Sequence, residues 1–112
     1  MTKDIPKAAG ITWYKSKEDY QKALSTFEDA FKLPTTYEAF LKQYEVGVAI
    51  AKQRGFIPVK AELDPATFPD WCAARSLHVD AHGREAFANE VAVAFLRDKG
   101  FLRSHWAPIK KR

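Results

Sequence analysis

The sequence predicts an α+β fold, mostly helical, in the order β-α-α-β-α-α, with four helices packed on a minimal two-stranded antiparallel sheet. Three observations predict it. Between Gly55 and Leu63 the chain alternates: Ile57, Val59, Ala61 and Leu63 fall on one face, and Pro58, Lys60 and Glu62 on the other. That is the period of a strand with one buried and one wet face. The segment 11–15, Ile-Thr-Trp-Tyr-Lys, is rich in β-branched and aromatic residues and predicts a short second strand. The remaining segments repeat apolar residues at helical spacing behind capping residues.

Length and composition bound the class. A chain of 112 residues suits one domain with one core. Hydrophobic content of 46% with 13% aromatic excludes a disordered chain. No apolar run has the length of a membrane span. The opening Met-Thr-Lys-Asp-Ile-Pro lacks the apolar stretch of a signal peptide. The lone Cys72 cannot form an internal disulfide, so the expected location is the cytoplasm. Residues 1–10 read as a flexible arm, 11–100 as a single α+β domain and 101–112 as a basic C-terminal tail. The net charge of +4 gathers at the two ends. In 97–112, Arg97, Lys99, Arg103, Lys110, Lys111 and Arg112 face one acid, Asp98.

In chain order, Ser16 offers an N-cap for a first helix over 17–31, with Tyr20, Leu24, Phe27 and Phe31 on one stripe. Leu33-Pro34 ends it, because the residue before proline is pushed out of the helical region. Thr35, with Glu38 three residues on, starts a second helix that runs to Arg54 and stops at Gly55. Tyr37, Phe40, Leu41, Tyr44, Val48 and Ala51 share one of its faces. Ala39, Val46 and Ile50 form a second apolar stripe opposite. Gly47, mid-helix, suggests a close backbone approach. After the strand, Asp64-Pro65 makes a turn, and a third helix follows over 68–77 with Thr67 as N-cap. Asp80 caps a fourth helix, 80–99, apolar in nearly every direction, with Gly100 just beyond it. The predicted core is Tyr20, Leu24, Phe27, Phe31, Phe40, Leu41, Tyr44, Val48, Ile57, Val59, Trp71, Phe87, Val91 and Phe95.

Chemistry-bearing clusters are few. His78, Asp80 and His82, with Cys72 nearby, have metal-ligand chemistry but no paired-cysteine zinc spacing. A Cys72 nucleophile would need a lowered pKa and a base such as His78 or His82. No Gly-rich phosphate loop, G-x-S-x-G or H-E-x-x-H occurs, so no cofactor, metal or catalytic residue is assigned.

The run Phe56-Ile57-Pro58-Val59-Lys60-Ala61-Glu62-Leu63-Asp64-Pro65, followed by two helices, resembles the start of a ribbon-helix-helix repressor. The resemblance implies strands from two subunits paired in the major groove, with Pro58, Lys60 and Glu62 facing bases. Residues 56–96 hold Lys60, Arg75 and Arg84 against Glu62, Asp64, Asp70, Asp80, Glu85 and Glu90, the wrong balance for meeting phosphates. A second resemblance runs over about 11–96. Glu18-Asp19-Tyr20, Lys32-Leu33-Pro34-Thr35-Thr36-Tyr37-Glu38, Leu63-Asp64-Pro65, Phe68-Pro69-Asp70-Trp71-Cys72 and Phe87-Ala88-Asn89 resemble a group of small uncharacterised bacterial proteins. It implies a bacterial or mobile-element origin and carries no catalytic residues over.

The leading expectation is a non-enzymatic binding or accessory protein, acting through protein–protein association as a homodimer. The interface candidates are Ala39, Val46, Ile50, Val93 and Trp106. The alternative is a DNA-binding regulator using strand 56–63 and the basic tails, through Lys60, Arg103, Lys110, Lys111 and Arg112. A second alternative is a small enzyme or metal-binding protein around Cys72, His78 and His82. No membrane partner is expected.

Overall fold

The computed structural model describes residues 6–101. The elements are β1 Lys7–Trp13, α1 Lys17–Thr26, a 3₁₀ turn Ala30–Lys32, α2 Tyr37–Gln53, β2 Phe56–Glu62, α3 Phe68–Ala73 and α4 Ala81–Asp98. No helix among the described residues is long and apolar enough to cross a membrane.

The sheet has the two strands that the sequence predicts, but they are parallel, not antiparallel: Lys7 pairs with Phe56 and Trp13 with Glu62. The cause is the path of α2. Its early residues Phe40 and Tyr44 meet Trp13 at the end of β1. Its late residues Ile50 and Arg54 share a cavity with Ala9 and Phe56. So α2 runs back along β1, and the chain re-enters the sheet at the end where β1 began. Gly55, at φ +82°, makes that turn, in the left-handed region where glycine carries no Cβ penalty. A parallel pair requires such a crossover. β1 also starts earlier than expected: Lys7 to Gly10 belong to the strand rather than to the arm. Residues 1–5, and 102–112 of the expected tail, lie outside the described residues.

Helices cover both faces of this ribbon. A Cβ on Gly10 would run into the Ala88 carbonyl of α4, whereas Ile11, the next residue, sends its Cγ2 to within 3.7 Å of where a Gly47 Cβ would sit on α2. Successive strand residues point to opposite faces. The sheet is therefore a thin middle layer between α4 and α2. Ile57, Val59 and Ala61 share the α4 face with Gly10, as their register requires. Ala61 and Leu63 are wholly buried and Lys60 and Glu62 on the other face are exposed, whereas Ile57, Pro58 and Val59 are all half-buried, so the predicted alternation of burial holds over 60–63 only.

The core cluster comprises Tyr14, Tyr20, Ala23, Phe27, Phe40, Leu63, Phe68 and Cys72, with Trp13, Leu24, Tyr44, Trp71 and Phe87 packed against it. Phe31, expected in the core, is 83% exposed. Its stripe is broken because α1 ends at Thr26: Phe27 turns to an extended ψ of 135° and drops into the core. Asp29 then turns towards α4. There it binds Arg84 through two bonds, Nη1 to Oδ1 at 2.8 Å and Nη2 to Oδ2 at 2.9 Å, and accepts the Ala81 amide at 3.1 Å. Ser16 and Asp80 cap α1 and α4 as predicted. The α2 cap is Thr36, one residue later than Thr35. α3 ends at Ala73 rather than 77, where the Leu77 amide returns to the Cys72 carbonyl over a left-handed Ser76.

Candidate functional site

The two edges of the ribbon differ. The Leu63 amide donates to the Trp13 carbonyl at 2.9 Å, which sets the phase of the ladder. Along a strand, the N–H and C=O of one residue point to one side and those of the next to the other. Lys7, Ala9, Ile11 and Trp13 therefore face β2, and Ala8, Gly10 and Thr12 turn theirs outward. Among the described residues no third strand or backbone hydrogen bond meets that outer edge. The same phase turns Phe56, Pro58, Lys60 and Glu62 outward on β2. Pro58 has no donor, and Lys60 and Glu62 place charges there, the usual way an edge is blunted against strand addition. β1 carries small residues with complete donors and acceptors.

Two cavities lie along β1 beside α2. At the end of β1 lies a cavity of about 180 Å³, lined by Ile11, Thr12, Tyr14, Phe40, Gln43 and Arg84 among others. No residue of β2 lines it. Arg84 comes from the α4 side and Gln43 from the α2 side, so the cavity opens around the β1 edge. At the start of β1 lies a shallower one of about 260 Å³, lined by Ala9, Ile11, Gly47, Ile50, Arg54 and Phe56. Ile11 belongs to both. Gln43, Gly47, Ile50 and Arg54 recur at helical spacing, so one flank of α2 forms the wall. Val46, next to that flank, is 57% exposed and Ile50 41%. Ala39 is exposed on the same stripe.

The other interface candidates do not join this surface. Val93 is 43% exposed. It sits on the side of α4 away from Ala88, and thus on the opposite layer. Trp106 lies outside the described residues, as do Arg103, Lys110, Lys111 and Arg112. Lys60 is exposed, with its Nζ 4.3 Å from the centre of the Trp13 ring.

The metal-type cluster is separated into other roles. Asp80 accepts the His82 and Gly83 amides at 3.0 and 3.3 Å. The exposed His78 places Nδ1 3.5 Å from the Glu28 carboxylate. Among the described residues no three His, Cys, Asp or Glu side chains gather as ligands. Cys72 is fully buried. Burial pushes its thiol up, and the Asp80 carboxylate adds to this, the reverse of what a nucleophilic thiol needs.

Two residues that line the cavity, Tyr14 and Arg84, were not singled out by the sequence. Hydrogen bonds from Arg84 hold the Asp29 carboxyl below the ordinary carboxylate range, against the opposing effect of burial. Tyr14 is 2% exposed. Burial pushes its phenol well up, and nearby Arg84 offsets only part of this. Comparison with protein-family models, curated proteins and solved structures found no match to this chain.

Proposed function

We propose that the protein is a binding module that works by self-association along the open edge of β1. The observation that carries this reading is the run Ala8, Gly10, Thr12, unpaired among the described residues, beside the exposed apolar flank Val46 and Ile50. The edge is self-complementary. A two-fold axis at Gly10 would set Gly10 against its own copy and Ala8 against Thr12. Every outward-facing residue then meets an outward-facing residue, which is the hydrogen-bonded pairing of an antiparallel ladder. The α2 flanks of the two copies would meet on one face, covering Val46 and Ile50. This is an isologous contact, the commonest kind in soluble oligomers. The strands within each chain stay parallel, and only the contact between copies is antiparallel.

The test is solution mass by light scattering, in low and high salt, with and without random duplex DNA. The reading expects a salt-insensitive dimer that ignores DNA, and a monomer when Val46→Asp and Ile50→Asp are combined. A monomeric wild-type protein at high micromolar concentration would refute it. A mass that rises with DNA only at low salt would favour the DNA-binding alternative instead.

A further inference from the structure

The cavity at the end of β1 has features that self-association does not use. Its floor is aromatic: the Tyr14 ring centre lies 5.2 Å from Tyr20 and 5.0 Å from Phe40. The Tyr20 hydroxyl is spent on the Pro34 carbonyl, and the Tyr37 hydroxyl on the Tyr14 carbonyl. The Tyr14 hydroxyl has no such partner among the described residues. Tyr14 is 2% exposed and lines the cavity. Arg84 stands on the same wall. A guanidinium has five N–H donors, and Asp29 takes two of them.

We infer that this cavity binds a small aromatic molecule bearing one uncharged hydrogen-bond acceptor, such as an amide or carbonyl oxygen. Its volume of about 180 Å³ suits a single substituted ring, since about 150 Å³ of apolar cavity takes up benzene. The ring would lie on the Tyr14–Phe40 floor, where aromatic pairs favour tilted contacts. The acceptor would take the Tyr14 proton and a spare Arg84 N–H. Burial keeps the phenol protonated, so it donates. The acceptor is uncharged because Asp29 already balances Arg84. A second anion would lose its hydration and be repelled by the Asp29 carboxylate.

The experiment titrates the whole protein with benzamide, toluene and benzoate, followed by backbone amide NMR. Benzamide should give saturable shifts at Ile11, Thr12, Gln43 and Tyr44, and bind more tightly than benzoate. Tyr14→Phe should weaken benzamide about fivefold, the effect of one lost hydrogen bond, and leave toluene unchanged. Toluene binding by that variant also shows that its cavity survives. Gln43→Trp, an exposed position at the mouth, should block both probes. Because every lining residue belongs to one chain, and the proposed partner strand would lie against Thr12 at its mouth, benzamide should bind at least as tightly to the Val46→Asp, Ile50→Asp protein. The assignment is overturned if benzamide shows no saturable shift, if benzoate binds more tightly, if Tyr14→Phe weakens both probes alike, or if Gln43→Trp binds as the wild type does.

Discussion

Two glycines sit on opposite faces of the same ribbon, and they do opposite things. Gly10 brings the backbone of β1 against the backbone of α4, and any Cβ there collides with the Ala88 carbonyl. Gly47 leaves 3.7 Å between a would-be Cβ and Ile11, an ordinary contact. The α4 side is closed at the level of main chain. The α2 side is held apart by side chains: one cavity lies on it, another opens around the β1 edge between it and Arg84, and its flank is exposed and apolar. The difference teaches where binding has room: one layer is scaffold and the other is surface.

The largest effect should come from the latch that holds the scaffold layer. The side chains of Asp29 and Arg84 are 12% and 13% exposed. Asp29→Ala strands the guanidinium and should cost about 4 kcal/mol in urea unfolding. The pair also predicts acid sensitivity. The native Asp29 pKa is depressed, so its contribution is full above the ordinary carboxylate value and is lost as pH falls through the lower native one. Below about pH 4 the wild type should lose stability more steeply than Asp29→Asn. Parallel curves would show that the pair contributes nothing.

Gly10→Ala comes next. The clash is with backbone, which cannot rotate away, so a loss of about 3 kcal/mol is expected. Gly47→Ala should have the opposite sign and raise stability by up to about 1 kcal/mol, the ordinary helix preference for alanine. Thermal melts of the two variants side by side test the comparison directly. If both lose stability alike, the α2 layer is as closed as the α4 layer, and its flank is not a place with room. Smallest in folding terms is the pair Val46→Asp, Ile50→Asp, which should change monomer stability by about 0.5 kcal/mol or less. It should nevertheless abolish association in sedimentation.

Local features were legible in the sequence. The alternation of 60–63, the caps Ser16 and Asp80, and the exposed stripe of Ala39, Val46 and Ile50 depend on neighbours within a few residues. What was not legible depends on residues far apart. The direction of strand pairing is set by where α2 lies, which no local pattern states. Lys7-Ala8-Ala9-Gly10 has weak strand preference and is strand because β2 pairs with it and α4 covers it. The apolar spacing of α1 continues to Phe31, but the helix stops short because Phe27 enters the core and Asp29 binds an arginine 55 positions away. Gly47 drew notice because a mid-helix glycine is costly, whereas the demanding glycine is Gly10. Val93 shares its apolar character with Val46 and Ile50 and still lies on the other layer. The cavity was hidden for the same reason: Tyr14, Gln43 and Arg84 meet only once the chain has crossed over.

The central claim is that the outer edge of β1 is an interface between copies. Amide hydrogen exchange along β1, measured at low and high protein concentration, tests it most directly. The account predicts that the Ala8, Gly10 and Thr12 amides slow down as concentration rises, while Ala9, Ile11 and Trp13, already facing β2, do not change. Exchange at Ala8, Gly10 and Thr12 that is independent of concentration, in a protein that still dimerises, would contradict it.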